Sequence, residues 1–267
     1  MDLALGPKAL AAGFRLAAHP TIGSTNAEAL RLARAGDPGR LWVASPHQTA
    51  GRGRRGRAWA TEPGNLAATA LLLVDSATAA TLGFVAGLSL DEALRRLAPS
   101  LGLPSAAGDR DRLRLKWPND VLLDGAKLAG IGLEAEAVGE GRLTLAVGIG
   151  VNVASAPEGL PYPATALAAL GLPLTAADVL AALSDAFAGI AGIWDGGRGF
   201  AAIRALWLDR AAGLGTGIAV RTGDEIVEGT FETIDADGRL ILAGPDGRLR
   251  AIAAGEVHFG AAATVRA

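Results

Sequence analysis

The chain runs to 267 residues, half of them hydrophobic, with a formal net charge of −2 and no cysteine. That length and apolar content suffice for one large domain, or a large one plus a small one; the missing thiols exclude disulfides and thiolate metal sites and suit a reducing cytoplasm, the expected location. The near-neutral charge argues against nucleic acid as a global partner, and neither an uninterrupted apolar run of about eighteen residues nor a basic, apolar leader points to a membrane or to export.

Residues 1–13 read as a loose lead-in or short helix, and Phe14 to His19 as a strand. Thr25-Asn26-Ala27-Glu28 has the Thr-x-x-Glu form of a capping box, which predicts a helix with Thr25 as N-cap, Leu30 and Ala33 on one face and Gly36 at its stop. Leu41 to Ser45 is a short strand. Gly51 to Arg57 then packs four arginines and three glycines into seven residues. Such a stretch has almost no apolar surface to bury, its glycines let backbone approach a ligand, and its guanidinium forks suit phosphate or carboxylate. Taken alone, it is equally a solvated basic loop or a nucleic-acid patch. Asn65 to Val74 returns as an apolar strand, and Ala79 to Leu97 as a long helix with Leu82, Val85, Leu90, Leu94 and Leu97 inward.

Between Arg112 and Trp117, Leu113, Leu115 and Trp117 alternate with Arg112, Arg114 and Lys116, the pattern of a half-buried strand. Pro118 cannot donate to a ladder and should end it. Val121 to Leu123 follows as a strand, Asp124-Gly125 is a hairpin-turn signal, and a strand opening at Lys127 runs through Ile131 to Ala137. After Gly139-Glu140-Gly141, Leu143, Leu145, Val147 and Ile149 alternate again, and the strand ends in Gly148-Ile149-Gly150-Val151-Asn152-Val153. A run of hairpins predicts a mixed, largely antiparallel sheet with flanking helices, an α+β fold, rather than a doubly wound parallel one. Pro157 to Pro163 is loop, Thr175 to Asp178 resembles a second capping box ahead of a stripe of Val179, Leu183, Phe187, Ile190 and Trp194, and Gly199 to Ala211 reads as a further helix. From Ile218 onward, short alternating segments separated by Thr222-Gly223, Asp237-Gly238 and Asp246-Gly247 predict a small β-barrel. The expected division is a catalytic domain over 1–213 and the barrel over 214–267.

Polar islands interrupt the apolar strands at the arginine loop, at Lys116 to Asp120, at Lys127 with Gly130 and at Gly148 to Asn152. Each has a dull explanation: exposed strand lysines, turn chemistry, a strand cap. If the hairpin at Asp124-Gly125 pairs its two strands, Asp120 and Lys127 come near one another, and with a basic loop they suit a metal-chelated triphosphate. The loop lacks the Gly-Lys-Ser/Thr of a Walker motif. Three histidines without metal spacing, and no nucleophile–base set, leave positioning and electrostatic stabilisation of anions as the available chemistry.

Taken together, Gly-Arg-Gly-Arg-Arg-Gly-Arg-x-Trp at 51–59, Lys-Trp-Pro-Asn-Asp at 116–120, Lys-Leu-Ala-Gly-Ile at 127–131 and Gly-Ile-Gly-Val-Asn-Val at 148–153 resemble the signature series of the biotin–protein ligases, with Ser24-Thr25-Asn26 and Gln48-Thr49 matching further positions. The resemblance implies a class II synthetase-like catalytic domain, an SH3-like C-terminal barrel, and an ATP-dependent ligase that forms biotinyl-5′-AMP and passes biotin to a lysine of a biotin carboxyl carrier domain. It assigns biotin to Ser24, Thr25, Asn26, Gln48, Arg52, Gly53, Arg54, Lys127 and Gly130. It assigns ATP to Arg54, Arg55, Arg57, Trp59, Lys116, Asn119, Asp120, Lys127 and Asn152, with Asp120 on the Mg2+ side and Lys127, Arg54, Arg57 and Asp120 catalytic. Trp59 and Trp117 are candidates for an apolar wall, with core packing the better reading of Trp117.

Many members begin with a helix-turn-helix domain. Here the motifs start by Ser24, so the ligase-only form is expected, with no DNA partner and no membrane partner. Glu62 stands where a small residue is more usual. A monomer or weak homodimer is expected, and a strand edge of the central sheet is the expected docking surface. The rival readings are a lipoate or octanoate ligase of the same superfamily and a non-catalytic nucleic-acid-binding module; the arginine loop with Lys-Trp-Pro-Asn-Asp opposes the first, and the net charge the second.

Overall fold

Hairpin chemistry in the middle of the chain places the strands that carry the polar islands side by side. A computed structural model of the chain describes residues 2–53, 56, 59, 61–103 and 111–259. From the N-terminus, α1 (Pro7–Ala11), β1 (Arg15–Ala18), α2 (Thr25–Arg34), β2 (Leu41–Ser45), β3 (Leu66–Asp75), α3 (Leu82–Leu97), β4 (Leu113–Lys116), β5 (Asp120–Leu123), β6 (Ala126–Gly139), β7 (Arg142–Val151), α4 (Ala176–Trp194) and α5 (Phe200–Asp209) precede β8 (Gly217–Thr222), β9 (Glu225–Ile234), β10 (Leu240–Ala243), β11 (Leu249–Ile252) and β12 (Glu256–Phe259). The first seven strands form one sheet in the order β1-β2-β3-β7-β6-β5-β4. β1 is parallel to β2 and every other pairing is antiparallel, the mixed, largely antiparallel sheet that the hairpins predicted.

Turn residues close those hairpins by adopting the left-handed region. Asp124 and Gly125 have φ of 51° and 82° between the paired Leu123 and Ala126, the two-residue turn whose twist matches antiparallel strands. α3, α4 and α5 cover one face of the sheet, where Trp42 meets Phe187 edge-on at 5.4 Å and Phe84 meets Trp207 at 5.5 Å. Leu82, Val85, Leu90 and Leu94 are buried as read, whereas Leu97, the last residue of α3, is half-buried. α2 covers the other face through Ala29 and Leu30 against Val43, Leu71 and Ala146.

One cap differs from the sequence reading. Ser24, not Thr25, is the N-cap of α2: its hydroxyl accepts from the Ala27 N–H at 3.3 Å, and Thr25 is the first helical residue. Both side chains are competent caps; the Thr25 hydroxyl is instead engaged in the interior. The second box forms as read: Thr175 Oγ1 accepts from the Asp178 N–H and Asp178 Oδ2 from the Thr175 N–H. Residues 176–197 are long and apolar enough by composition to cross a membrane, yet Val179, Leu183, Phe187, Ile190 and Trp194 are buried in the main core, which accounts for that apolarity.

The last five strands form an antiparallel sheet in the order β11-β10-β9-β8-β12, the SH3-like barrel. Its attachment is specific. The Leu115 N–H donates to Arg210 O at 2.9 Å and the Ala212 N–H to Leu115 O at 2.8 Å, so the linker lies along the edge of β4. Trp117 Nε1–H donates to Gly238 O at 3.1 Å. These contacts set β12 beside the β4–β5 hairpin.

Candidate active site

The sequence Lys-Trp-Pro-Asn-Asp is the turn of that hairpin. Lys116 and Asp120 are register partners, and the Trp117–Pro118 peptide between them is cis. Trp117 is buried, in keeping with a packing role. Asn119 faces back along the sheet: its Nδ2 donates to Ile131 O at 2.7 Å, and Asn119 O accepts from the Ile131 N–H at 2.8 Å. A register shift between Val121 and Leu122 offsets β5 against β6, and the Lys127 ammonium reaches Asp120 Oδ1 at 2.7 Å. The expected Asp120–Lys127 neighbourhood is therefore present, as an ion pair whose side chains are about four-fifths shielded from solvent (18% and 19% exposed).

These groups line one cleft of about 420 Å3 that also receives Ser24, Thr25, Asn26, Gln48, Arg52, Gly53, Trp59 and Gly130. Its two ends differ in character. At one, buried side chains carry hydrogen-bonding groups without charge: Gln48 Oε1 accepts from the Thr25 N–H at 2.8 Å and from Thr25 Oγ1 at 3.2 Å, and Thr69 Oγ1 lies 2.8 Å from Thr25 Oγ1 and 2.7 Å from Asn26 Oδ1. At the other stand Lys116, Lys127 and Asp120. Lys127 also lies 5.3 Å from the ring centre of Trp59 and 5.5 Å from that of Tyr162, cation–π range. Burial pushes the Lys116 ammonium below the usual lysine value; Asp120 pulls it back up, Lys127 pushes it further down, and Glu256 pulls it up.

Asn152 is not brought to the cleft. It is buried, its N–H bonds Leu128 O, and its Nδ2 donates to Thr165 O at 3.0 Å. It ties down the segment after Tyr162, where the Thr165 N–H in turn bonds Lys127 O at 2.9 Å. Its place is behind the site. Arg54, Arg55 and Arg57 lie outside the described residues. Among the described residues no group of three or more His, Asp or Glu side chains gathers as a metal ligand set. Asp120 and Glu256 are carboxylates of the cleft wall; a Mg2+ ion carried on substrate phosphates needs only one or two carboxylates from the protein, and these are the residues that would hold it.

Residues that the sequence reading passed over include Tyr162 and the β12 stretch Glu256, His258 and Phe259 on the cleft wall, and Thr69, buried behind Thr25 and Asn26. Tyr162 had a signal, being the sole tyrosine of the chain and set between two prolines. The β12 residues had none, since over a hundred positions separate them from Lys116.

The Biotin/lipoate A/B protein ligase family profile matches residues 22–153, and that of the Biotin protein ligase C terminal domain matches residues 213–260. The chain is 47% identical over 245 residues to the biotin--[acetyl-CoA-carboxylase] ligase of Paracoccus denitrificans, covering 89% of this chain and 97% of that one. It is 31% identical over 264 residues to the bifunctional ligase/repressor BirA of Bacillus subtilis, covering 97% of this chain and 78% of that one. Among solved structures, the biotin protein ligase of Aquifex aeolicus in complex with biotin and ATP superposes with a TM-score of 0.73 at 25% identity, over 91% of this chain and 97% of that one. The Leishmania major enzyme in complex with biotinyl-5-AMP shares the fold at a TM-score of 0.58 and 21% identity, over 90% and 98% of the two chains.

Proposed function

Since the chain belongs to the biotin protein ligases of the biotin/lipoate A/B protein ligase family, we propose that it activates biotin with ATP as biotinyl-5′-AMP and transfers it to one lysine of the biotin carboxyl carrier domain of a carboxylase. The observation that carries this reading is the polarity of the cleft. Uncharged buried hydrogen-bonding groups at Thr25, Asn26 and Gln48 suit a cyclic urea, and the lysines at the other end suit a carboxylate meeting a phosphate. A lipoyl or octanoyl group has no head to satisfy the first set, and a buried polar site rejects a ligand that leaves it unpaired.

In the first half-reaction a biotin carboxylate oxygen bonds the α-phosphorus of ATP as the bond to the β-phosphate oxygen breaks, releasing pyrophosphate. The two reactants are anions, and their approach needs a cation at close range. Lys127 is a compact charge already held at the site by Asp120, Trp59 and Tyr162, and it is assigned to both groups. Lys116, Asn119 and Asp120 are assigned to the nucleotide side, Mg2+ neutralising phosphate charge when it arrives with ATP. Arg54, Arg55 and Arg57 are proposed, on sequence alone, to enclose the mixed anhydride and keep water from it. In the second half-reaction the carrier's lysine amine bonds the anhydride carbonyl and AMP leaves, forming an amide. Residues 1–213 are proposed as the catalytic unit and 214–267 as the barrel, which lends β12 to the cleft wall.

Pyrophosphate release from ATP, with biotin, lipoate and octanoate offered separately, tests the first step. Biotin alone should support turnover. Release with lipoate and none with biotin would falsify the reading. Labelling of a carrier domain, followed by mass, tests the transfer.

A further inference from the structure

Glu134 stands on β6 behind Asn26, outside the cleft lining, and Asn26 Nδ2 donates to its Oε1 at 2.8 Å. An ionised carboxylate only accepts hydrogen bonds. The amino end of the Asn26 amide must therefore face Glu134, and its carbonyl end must face inward, where Oδ1 lies 2.7 Å from Thr69 Oγ1. Thr69 is fully buried and has one hydroxyl proton for two oxygens in reach, Asn26 Oδ1 and Thr25 Oγ1.

Two arrangements satisfy that count. If Thr69 donates to Asn26, Thr25 donates to Thr69, and Gln48 Oε1 keeps the Thr25 N–H alone. If Thr69 donates to Thr25, Thr25 donates onward to Gln48 Oε1 at 3.2 Å, and Asn26 Oδ1 becomes a bare acceptor at the cleft. The second arrangement receives a ligand N–H. With Asn26 reversed, its amino group would meet that N–H donor to donor. Gly148 completes the device: a Cβ there would lie 2.3 Å from Asn26 Oδ1, so glycine is what lets the carbonyl sit where it does.

We infer that Glu134 is a positioning residue for the ring end of biotin, acting through Asn26 to fix the direction of the hydrogen bonds among Asn26, Thr69, Thr25 and Gln48. This rests on the biotin reading above. Its neighbour Glu136, two residues along the strand, pairs instead with Arg34 and has no such route to the cleft.

The test measures pyrophosphate release with biotin and ATP varied separately for the wild type, Glu134→Leu, Glu134→Gln and Glu136→Leu, with a thermal melt of each. Glu134→Leu should raise the KM for biotin about ten- to a hundredfold, the weight of one hydrogen bond to a charged group, and leave the KM for ATP within about twofold. Glu134→Gln, which can still accept from Asn26 but can also turn its amide, should fall between wild type and Glu134→Leu. Glu136→Leu should leave both constants unchanged. The inference is overturned if Glu134→Leu keeps the wild-type KM for biotin, or if the two KM values rise together. Should Glu134→Leu not fold, an unchanged biotin KM in Glu134→Gln overturns it equally. A wild type that releases no pyrophosphate with biotin sinks the biotin reading itself, a different result from a wild type that works and variants that match it.

Discussion

The Trp59 indole lies across Gly150 so closely that a Cβ on that glycine would come 2.3 Å from Trp59 Nε1, and one on Gly130 would come 3.0 Å from Trp59 Cζ3. Two bare backbone positions on neighbouring strands, register partners in the sheet, thus make the bed in which the indole sits beside Lys127. Gly150→Ala should displace the ring and with it one wall of the cleft. The expected result is a fall in adenylation of about tenfold or more, as a misplacement of order 1 Å produces, with a smaller effect on the melting temperature, because the atoms that the added Cβ meets first all belong to the Trp59 side chain and none to backbone. Trp fluorescence on adding biotin distinguishes the cause: a variant with wild-type quenching and reduced turnover would show that the ring had not moved.

Lys127→Ala removes the ammonium that Asp120 holds at 2.7 Å. Loss of one preorganised charge at a developing anion costs of order 2–4 kcal/mol in transition-state stabilisation, so pyrophosphate release should fall by more than about thirtyfold. The strand itself is held by backbone bonds from Lys127 to Pro163 and Thr165, and folding should survive. A drop of less than about threefold would exclude the assigned role.

The lowered Lys116 gives a pH signature. Burial favours its neutral form, whereas a bound triphosphate favours the ammonium. Below the lowered value the lysine is charged in both states and binding is pH-independent. As pH rises through that value, binding must take up a proton and nucleotide affinity falls, starting at lower pH than an ordinary lysine would cause. For folding the sign is opposite in sense: the unfolded chain holds more protons between the lowered and ordinary values, so this group's unfavourable contribution diminishes as pH rises across that window. Calorimetric titration with ATP in buffers of different ionisation enthalpy should find proton uptake at alkaline pH, and Lys116→Met should abolish it.

Asp91 on α3 is fully buried and pairs with Arg95 Nε at 3.0 Å and with Arg210 Nε at 2.8 Å. Removing one member of a buried ionic set leaves the others uncompensated. Asp91→Ala should therefore destabilise by about 3 kcal/mol or more, read as a shift in the denaturation midpoint with urea. A change under about 1 kcal/mol would mean that the arginines find water instead.

Much of this arrangement was legible in the residues. The alternation of Leu113 to Ile149 and the Asp124-Gly125 turn predicted the hairpins, and hence that Asp120 and Lys127 meet. What escaped did so for identifiable reasons. Ser24 and Thr25 are adjacent competent caps, and only the interior partners Gln48 and Thr69 decide between them. Asn152 carries a motif position yet serves backbone at Leu128 and Thr165, because a buried amide and a ligand-binding one read alike in sequence. Glu134 sits where strand alternation places solvent-facing charge, and its partner Asn26 is 108 positions away.

The linker after α5 has a consequence for how other chains can meet this one. On the outer border of β4, Leu113 O accepts from Arg95 Nη2, the Leu115 N–H is taken by Arg210 O, and Leu115 O by the Ala212 N–H. That end of the seven-stranded sheet is sealed by the chain itself. A visiting strand cannot lengthen the sheet there without first peeling the linker away, which would also unseat the residue next to Lys116. Among the described residues, the sheet borders with no strand alongside are β1 and the length of β6 after Ile131, which pairs with β7 alone, and a partner strand that lengthens the sheet would add there.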